Sequence, residues 1–110
     1  RREFMYAGDL TDWISRAIER FSDLPEVMNV CLWYDYSINE YYQAIADVVG
    51  FKGSFRHDLS KPIGMRQKLV SVERQQAWGW KSRVSLHEGI EHTYRYYLDL
   101  LSGASEAWIS

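Results

Sequence analysis

Residues 58 to 80, DLSKPIGMRQKLVSVERQQAWGW, gather the side chains best suited to binding chemistry. They include a polar turn with Ser60 and Lys61, a basic pair that ends at Lys68, a short apolar run and a closing Gly-Trp. Cations and a hydroxyl group around a turn suit a ligand site. Ile63 interrupts the polar turn, so the stretch is either a working ligand site or the remnant of one.

The usual catalytic patterns are missing or weak. No glycine-rich phosphate loop occurs. His87 and His92 are five residues apart, which does not place both on one helix face as a spacing of four would. Asp9 and Asp12 are expected at a helix start, as a cap and a dipole partner rather than an acid pair. Cys31 ends a predicted buried strand and is interpreted as a core residue. Taken together, these patterns predict neither a catalytic centre nor a metal site.

The composition predicts one ordered domain over residues 1–110. The formal net charge is −2 with both signs interspersed, so nucleic-acid binding is not expected. A single cysteine favours a reducing compartment, and we expect a cytoplasmic protein. No apolar run approaches the roughly 20 residues of a membrane span, so no membrane association is expected. Because the first residue is Arg1, we expect either a trimmed N-terminus or a piece of a longer protein.

The elements that must position these residues form an expected mixed α/β (α+β) fold. We predict a small sheet of three to four short strands with about four amphipathic helices packed on it. The expected strands are residues 3–7, 27–31, 53–58 and 68–72.

The helix starts and stops are clearer than the strands. A first helix is expected from Asp9 to Phe21, because apolar residues recur there at spacings of three and four. SINE (37–40) and SLHE (85–88) are capping boxes that start two further helices. A short helix is expected over residues 72–78, before a glycine.

Four motifs occur in an order that resembles a known family. RREFMYAGDL is similar to Arg-(Glu/Asp)-aromatic-x-(His/Tyr)-Val-x-Asp-(Leu/Met), and the SINE to KPIG region to Thr-Ile-x-Glu-Leu followed by Asp-x-Ser-Lys-Pro-Asp-Gly. RQKLVSVERQQAWGW is similar to Arg-Lys-Leu-Leu-Asp-Val-(Ser/Thr)-Arg…Leu-Gly-Trp, and SRVSLHEGIEHTYRYYL to a closing Ile-Ser-Leu-x-x-Gly-Ile helix. Over residues 1–99 this set resembles GDP-L-fucose synthases, members of the extended short-chain dehydrogenase/reductases.

The resemblance covers only the C-terminal, sugar-nucleotide-binding third of that family. It implies a GDP-sugar ligand and a domain that is not catalytic alone. The Rossmann domain and the Tyr-x-x-x-Lys pair are absent, so no cofactor is expected in this chain. NADP is implied only if a Rossmann domain is supplied elsewhere, and the longer protein would then be an NADP-dependent GDP-4-keto-6-deoxymannose epimerase/reductase.

The resemblance also implies the binding residues. Arg2 matches an arginine that contacts the nucleotide diphosphate, and a planar guanidinium suits that contact. Ser60 and Lys61 match the Ser-Lys-Pro-x-Gly turn, and Lys68 matches the basic pair. Trp80 matches the Gly-Trp and is expected to pack in the interior.

Several positions depart from the family pattern. Ile63 replaces an aspartate and cannot accept a hydrogen bond from a ligand. Gln67 replaces an arginine and Ser71 an aspartate, Gly8 replaces another aspartate, and residues 31–33 replace Gly-Thr-Gly. The pattern of the expected helices and turns is kept, while side chains expected to contact the ligand are replaced. The alternative hypothesis is therefore a stand-alone interaction module that has lost nucleotide-sugar binding.

The aromatic content of 15% is high for a chain of this size. Trp33, Tyr34, Tyr36 and Trp108 are the expected surplus. We expect the loop from Cys31 to Tyr36 either to collapse over a missing interface or to form a homodimer, as exposed apolar patches tend to do.

Overall fold

The computed structural model describes residues 1–103, and its regular structure is helical. The helices are α1 (Ala7–Glu19), α2 (Ile38–Val49), α3 (Glu73–Trp78) and α4 (Leu86–Leu101), with a short 3₁₀ helix at Phe21–Asp23. None of these helices is long and apolar enough to cross a bilayer. Trp108 lies outside the described residues.

Hydroxyl caps start the two long helices that pack against each other, α2 and α4. Ser37 accepts a hydrogen bond from the Glu40 amide at 3.1 Å, and the Glu40 carboxylate accepts from the Ser37 amide at 2.6 Å. At α4, Ser85 accepts from the Glu88 amide, while the Glu88 carboxylate lies 3.8 Å from the His92 ring. The first capping box is complete, and the second has its hydroxyl half.

The expected mixed α/β fold with a three- to four-stranded sheet is wrong, because residues 1–103 contain no β-strand. The four segments expected as strands are irregular or extended connections, apart from residue 7, which begins α1. The described structure has a single antiparallel bridge, between Arg2 and Tyr36, with N–O distances of 2.8 and 2.9 Å.

Side chains take the place of a neighbouring strand. The Gln75 amide accepts from the Cys31 backbone N–H at 2.9 Å and donates to the Cys31 carbonyl at 3.0 Å. The Glu3 carboxylate accepts from the amides of Leu32 and Trp33. Buried backbone groups need hydrogen-bond partners. At residues 31–33 these side chains supply them, so the segment does not have to pair with a neighbouring strand.

Tilted aromatic contacts of Phe55 hold the segment at residues 53–58 against α2. The Phe55 ring lies 5.7 Å from Tyr42 on α2 and 5.9 Å from Phe51, measured between centroids. Phe55 therefore packs against a helix instead of belonging to a strand.

The interior is small, and much apolar surface faces outward. Leu10, Ile14, Ile18 and Phe21 form an exposed row along α1 and its end. The accessible surface is 8934 Å², whereas a compact 13.0 kDa monomer exposes about 6300 Å². The buried residues are Asp9, Ala17, Cys31, Tyr41, Ala44, Ala46, Val72, Gln75, Trp78 and Trp80.

We expect Gln75→Ala to lower the free energy of unfolding by about 2 kcal/mol, because it leaves the buried N–H and C=O of Cys31 unpaired. Chemical denaturation followed by circular dichroism measures this change. The matched control is Gln76→Ala, which removes an exposed neighbouring amide. Equal stability of the two variants would contradict the role given to Gln75.

Candidate functional site

Arg2 connects the N-terminal segment to the predicted ligand loop. Its guanidinium donates to the Met65 carbonyl at 2.7 Å and to the Arg1 carbonyl at 2.8 Å, both through Nη1. Its backbone pairs with Tyr36. The structure thus brings Arg2 to the segment that carries Ser60, Lys61 and Lys68. The remaining guanidinium N–H groups could serve a ligand.

The turn that contains Ser60 and Lys61 is organised by Asp58. The Asp58 carboxylate accepts from the Ser60 amide at 3.0 Å and from its hydroxyl at 2.6 Å. The Lys61 amide donates to the Asp58 carbonyl at 3.4 Å. The bonds from Ser60, led by its hydroxyl, lower the pKa of the Asp58 carboxyl. Ser60 therefore serves the turn, and the exposed Lys61 side chain is the group presented to solvent.

Lys68 is exposed, as are the apolar side chains of the same loop. Leu59 is 93% exposed and Ile63 is 88% exposed. Ile63 therefore contributes an apolar group to the loop surface where the resemblance implies a carboxylate. The loop combines cations suited to an anionic ligand with apolar side chains suited to a protein surface.

Asp35 is an organising residue that motif matching missed. Its carboxylate accepts from the Arg1 guanidinium and, at 2.6 Å, from the Gln67 amide. Arg1 first and then Gln67 hold the pKa of the Asp35 carboxyl below its ordinary value of 3.8. Gln67, which departs from the family arginine, thus contacts the 31–36 loop, and its amide joins two loops more than 30 residues apart in sequence.

Asp9 lies inside the first turn of α1 rather than capping it, since the helix begins at Ala7 after Tyr6. The buried carboxylate accepts from the Ser82 hydroxyl and from the amides of Arg83 and Val84, the latter two at 3.2 and 3.1 Å. The expected cap is therefore an anchor for the segment leading into α4. This role needs a partner more than 70 residues away, which a local motif cannot show.

Asp12 and Trp80 link α1 to the segment after α3. The buried Trp80 indole donates to the Asp12 carboxylate at 2.9 Å, and Arg16 donates to the same oxygen at 3.0 Å. The Trp80 bond, followed by the Arg16 bond, lowers the pKa of the Asp12 carboxyl. The two predicted acids of α1 thus have separate structural partners.

Trp33 has a φ of 79°, in the left-handed region that residues other than glycine rarely adopt. The resemblance places a glycine at this position. The Trp33 side chain is 62% exposed, and its amide donates to Glu3 at 2.8 Å. The 31–36 loop therefore keeps a glycine-type backbone while presenting a large aromatic group to solvent.

A tyrosine-lined cleft of about 490 Å³ lies between the N-terminal segment, α2 and α4. The Tyr41 hydroxyl joins the walls, because it donates to the Arg2 carbonyl and accepts from the Phe4 amide, both at 3.0 Å. Gly89 lets α4 approach this wall, since a Cβ there would lie 3.2 Å from the Cβ of Tyr6. Burial raises the pKa of Tyr34 and Tyr41. The tyrosines of the cleft are Tyr6, Tyr34, Tyr36, Tyr41, Tyr94 and Tyr97.

Curated sequences identify the relatives of this chain. It is 48% identical over 99 residues to a GDP-L-colitose synthase of Yersinia pseudotuberculosis, and 44% identical over 98 residues to a GDP-L-fucose synthase of Azorhizobium caulinodans. A GDP-L-fucose synthase of Escherichia coli is 42% identical. These alignments cover 89 to 90% of the chain and 31 to 33% of each relative.

The chain therefore belongs to the family of GDP-L-fucose and GDP-L-colitose synthases and spans about a third of the length of these relatives. No family model matches it. No solved structure matches it either.

We expect the contribution of Asp35 to stability to depend on pH. A carboxyl whose pKa is lowered by folding stabilises the fold above its unfolded pKa, and this stabilisation is lost as the pH falls through the folded value. Asp35→Asn should therefore lower the melting temperature at pH 7, and the difference from the unmodified chain should shrink below about pH 4. Thermal unfolding at a series of pH values measures it.

Asp99→Asn, at an exposed position on α4, is the control and should change the melting temperature little. A difference between the unmodified chain and Asp35→Asn that stays constant from pH 7 to pH 2.5 would exclude an ionised Asp35 as its source.

Proposed function

We propose that this chain supplies the GDP-sugar-binding segment of a GDP-L-fucose synthase-like protein and is not catalytic by itself. The observation that carries the proposal is the homology over about nine tenths of the chain to synthases that act in nucleotide-sugar metabolism. The chain spans only about a third of the length of these relatives. We therefore assign the NADP-dependent epimerase and reductase activity to a longer protein or to a separate partner. A cytoplasmic location is part of the proposal, favoured by the single cysteine.

The geometry of the predicted loop supports a diphosphate ligand. Arg2 is held beside Met65 and retains further N–H donors, while Lys61 and Lys68 are exposed on the same segment. Guanidinium and ammonium groups are the side chains that bind phosphate oxygens most strongly. The GDP part of the sugar nucleotide is therefore the proposed ligand of this loop.

The many exposed apolar side chains support packing of this chain against a further domain or a partner protein. The total accessible surface exceeds that of a compact monomer by about 2600 Å², more than the roughly 800 Å² that each partner buries in a standard interface. The exposed row on α1 that starts at Leu10 is part of this surface.

An interaction module without nucleotide binding is the second candidate. The exposed Leu59 and Ile63 on the ligand loop favour it, as does the use of Gln67 to hold Asp35. In this case the fold is retained while the loop binds a protein surface instead of a nucleotide.

We expect GDP and GDP-mannose to bind the purified chain in calorimetric titrations, with weaker binding of GMP and UDP. Lys61→Ala should weaken binding at least about tenfold, because it removes a charge-assisted contact to phosphate. Arg2→Ala should do the same. Lys81→Ala, at an exposed position outside the loop, is the matched control.

Absence of heat at millimolar GDP, with the fold intact by circular dichroism, would contradict nucleotide binding. Such a result would favour the interaction module.

We also expect the 31–36 loop to form a homodimer through Trp33, which is exposed on a strained backbone. Size-exclusion chromatography with light scattering should show a dimer that increases with concentration, and Trp33→Ser should give a monomer. Tyr96→Ser, at a similarly exposed aromatic on α4, is the control and should leave the dimer unchanged. A monomer at every concentration would rule out this interface.

A further inference from the structure

A second hollow, separate from the ligand loop and the tyrosine cleft, lies between the end of α1 and α3. Its volume is about 490 Å³. Arg20 and Arg74 line it together with Trp78, and Leu24 contributes an apolar wall. Two guanidinium groups around one concave surface are an arrangement suited to an oxyanion.

Both arginines are held in place while keeping unused donors. Arg74 donates through Nη1 to the Val27 carbonyl at 2.6 Å. The Arg20 guanidinium lies 4.3 Å from the centre of the Trp78 ring. Its Nε is 3.7 Å from the Asp23 carboxylate, which is an ion pair too long for a hydrogen bond. Since a guanidinium has five N–H groups, both side chains can still donate.

The Trp78 side chain lines the hollow and can report on a ligand bound there. Its indole Nε1 is buried and has no hydrogen-bond partner among residues 1–103. Because this nitrogen has almost no accessible surface, the Trp78 ring rather than its N–H lies beside an anion in the hollow.

We propose that this hollow binds a phosphate group, either as inorganic phosphate or as a small phosphomonoester. Arg20 and Arg74 neutralise the charge and donate hydrogen bonds to the phosphate oxygens, while the Trp78 ring lies beside the bound group. Asp23 competes for Arg20, so binding requires the ion pair between them to open. The apolar wall that includes Leu24 and Ala77 favours an ester with an apolar substituent over the free ion.

The indole N–H signals of the ¹⁵N-labelled chain test the proposal directly. Inorganic phosphate and phenyl phosphate are titrated at constant ionic strength, with benzoate as a carboxylate of similar shape. The Trp78 signal should shift with saturation. Trp13, whose indole is also buried and unpaired in the described part of the chain but does not line the hollow, is the internal reference. Trp80, whose indole donates to Asp12, is a second.

Variants separate the site from general charge effects. Arg20→Gln and Arg74→Gln should each weaken phosphate binding about tenfold, while Arg95→Gln on the exposed face of α4 should not. Asp23→Asn should tighten binding, because it removes the competing carboxylate. Tighter binding of phenyl phosphate would identify an ester as the ligand, and equal binding would identify the free ion.

Linear shifts of all indole signals together would overturn the proposal, because they would report ionic strength rather than a site. Binding of benzoate as tight as that of phenyl phosphate would overturn the assignment to phosphate. Saturation that survives both Arg20→Gln and Arg74→Gln would overturn the role of the arginines.

Discussion

The requirement that buried backbone groups be hydrogen-bonded governs the rest of this structure. With no sheet in residues 1–103, three polar side chains meet it for the irregular segments. Gln75 pairs with Cys31, Glu3 holds the two following amides, and the Asp9 carboxylate fixes residues 82–84. Each joins segments far apart in sequence, so these few bonds set how the helices are placed.

The positions of the site residues follow from this arrangement. The N-terminal segment is held against the 31–36 loop by Glu3 and by the Arg2–Tyr36 bridge, and Asp35 then joins that loop to Gln67. Arg2 consequently meets the predicted ligand loop at Met65. The departures from the family pattern at Gln67 and Trp33 are thus part of the loop structure.

Homology and exposed surface point in the same direction. The chain spans about a third of the length of its relatives, and its total accessible surface is larger than that of a compact monomer of its mass. A segment of a larger synthase would bury this area against the rest of the protein. The expected strands are absent from residues 1–103 because, apart from the Arg2–Tyr36 bridge, these segments do not pair with one another, and a short unpaired strand is not stable in water.

The sequence by itself determined the features whose partners lie within one helical turn. The Ser37–Glu40 capping box and the glycine after α2 were readable, because the capping interactions span three or four residues. The family was readable for a different reason, since the order of motifs along the chain needs no knowledge of which residues meet. Only the tertiary structure decided that Gln75 would replace a strand, that Asp9 would anchor α4 rather than cap α1, and that Arg20, Arg74 and Trp78 would share a hollow. Those contacts join residues up to 75 positions apart, and local spacing carries no information about which distant groups will meet.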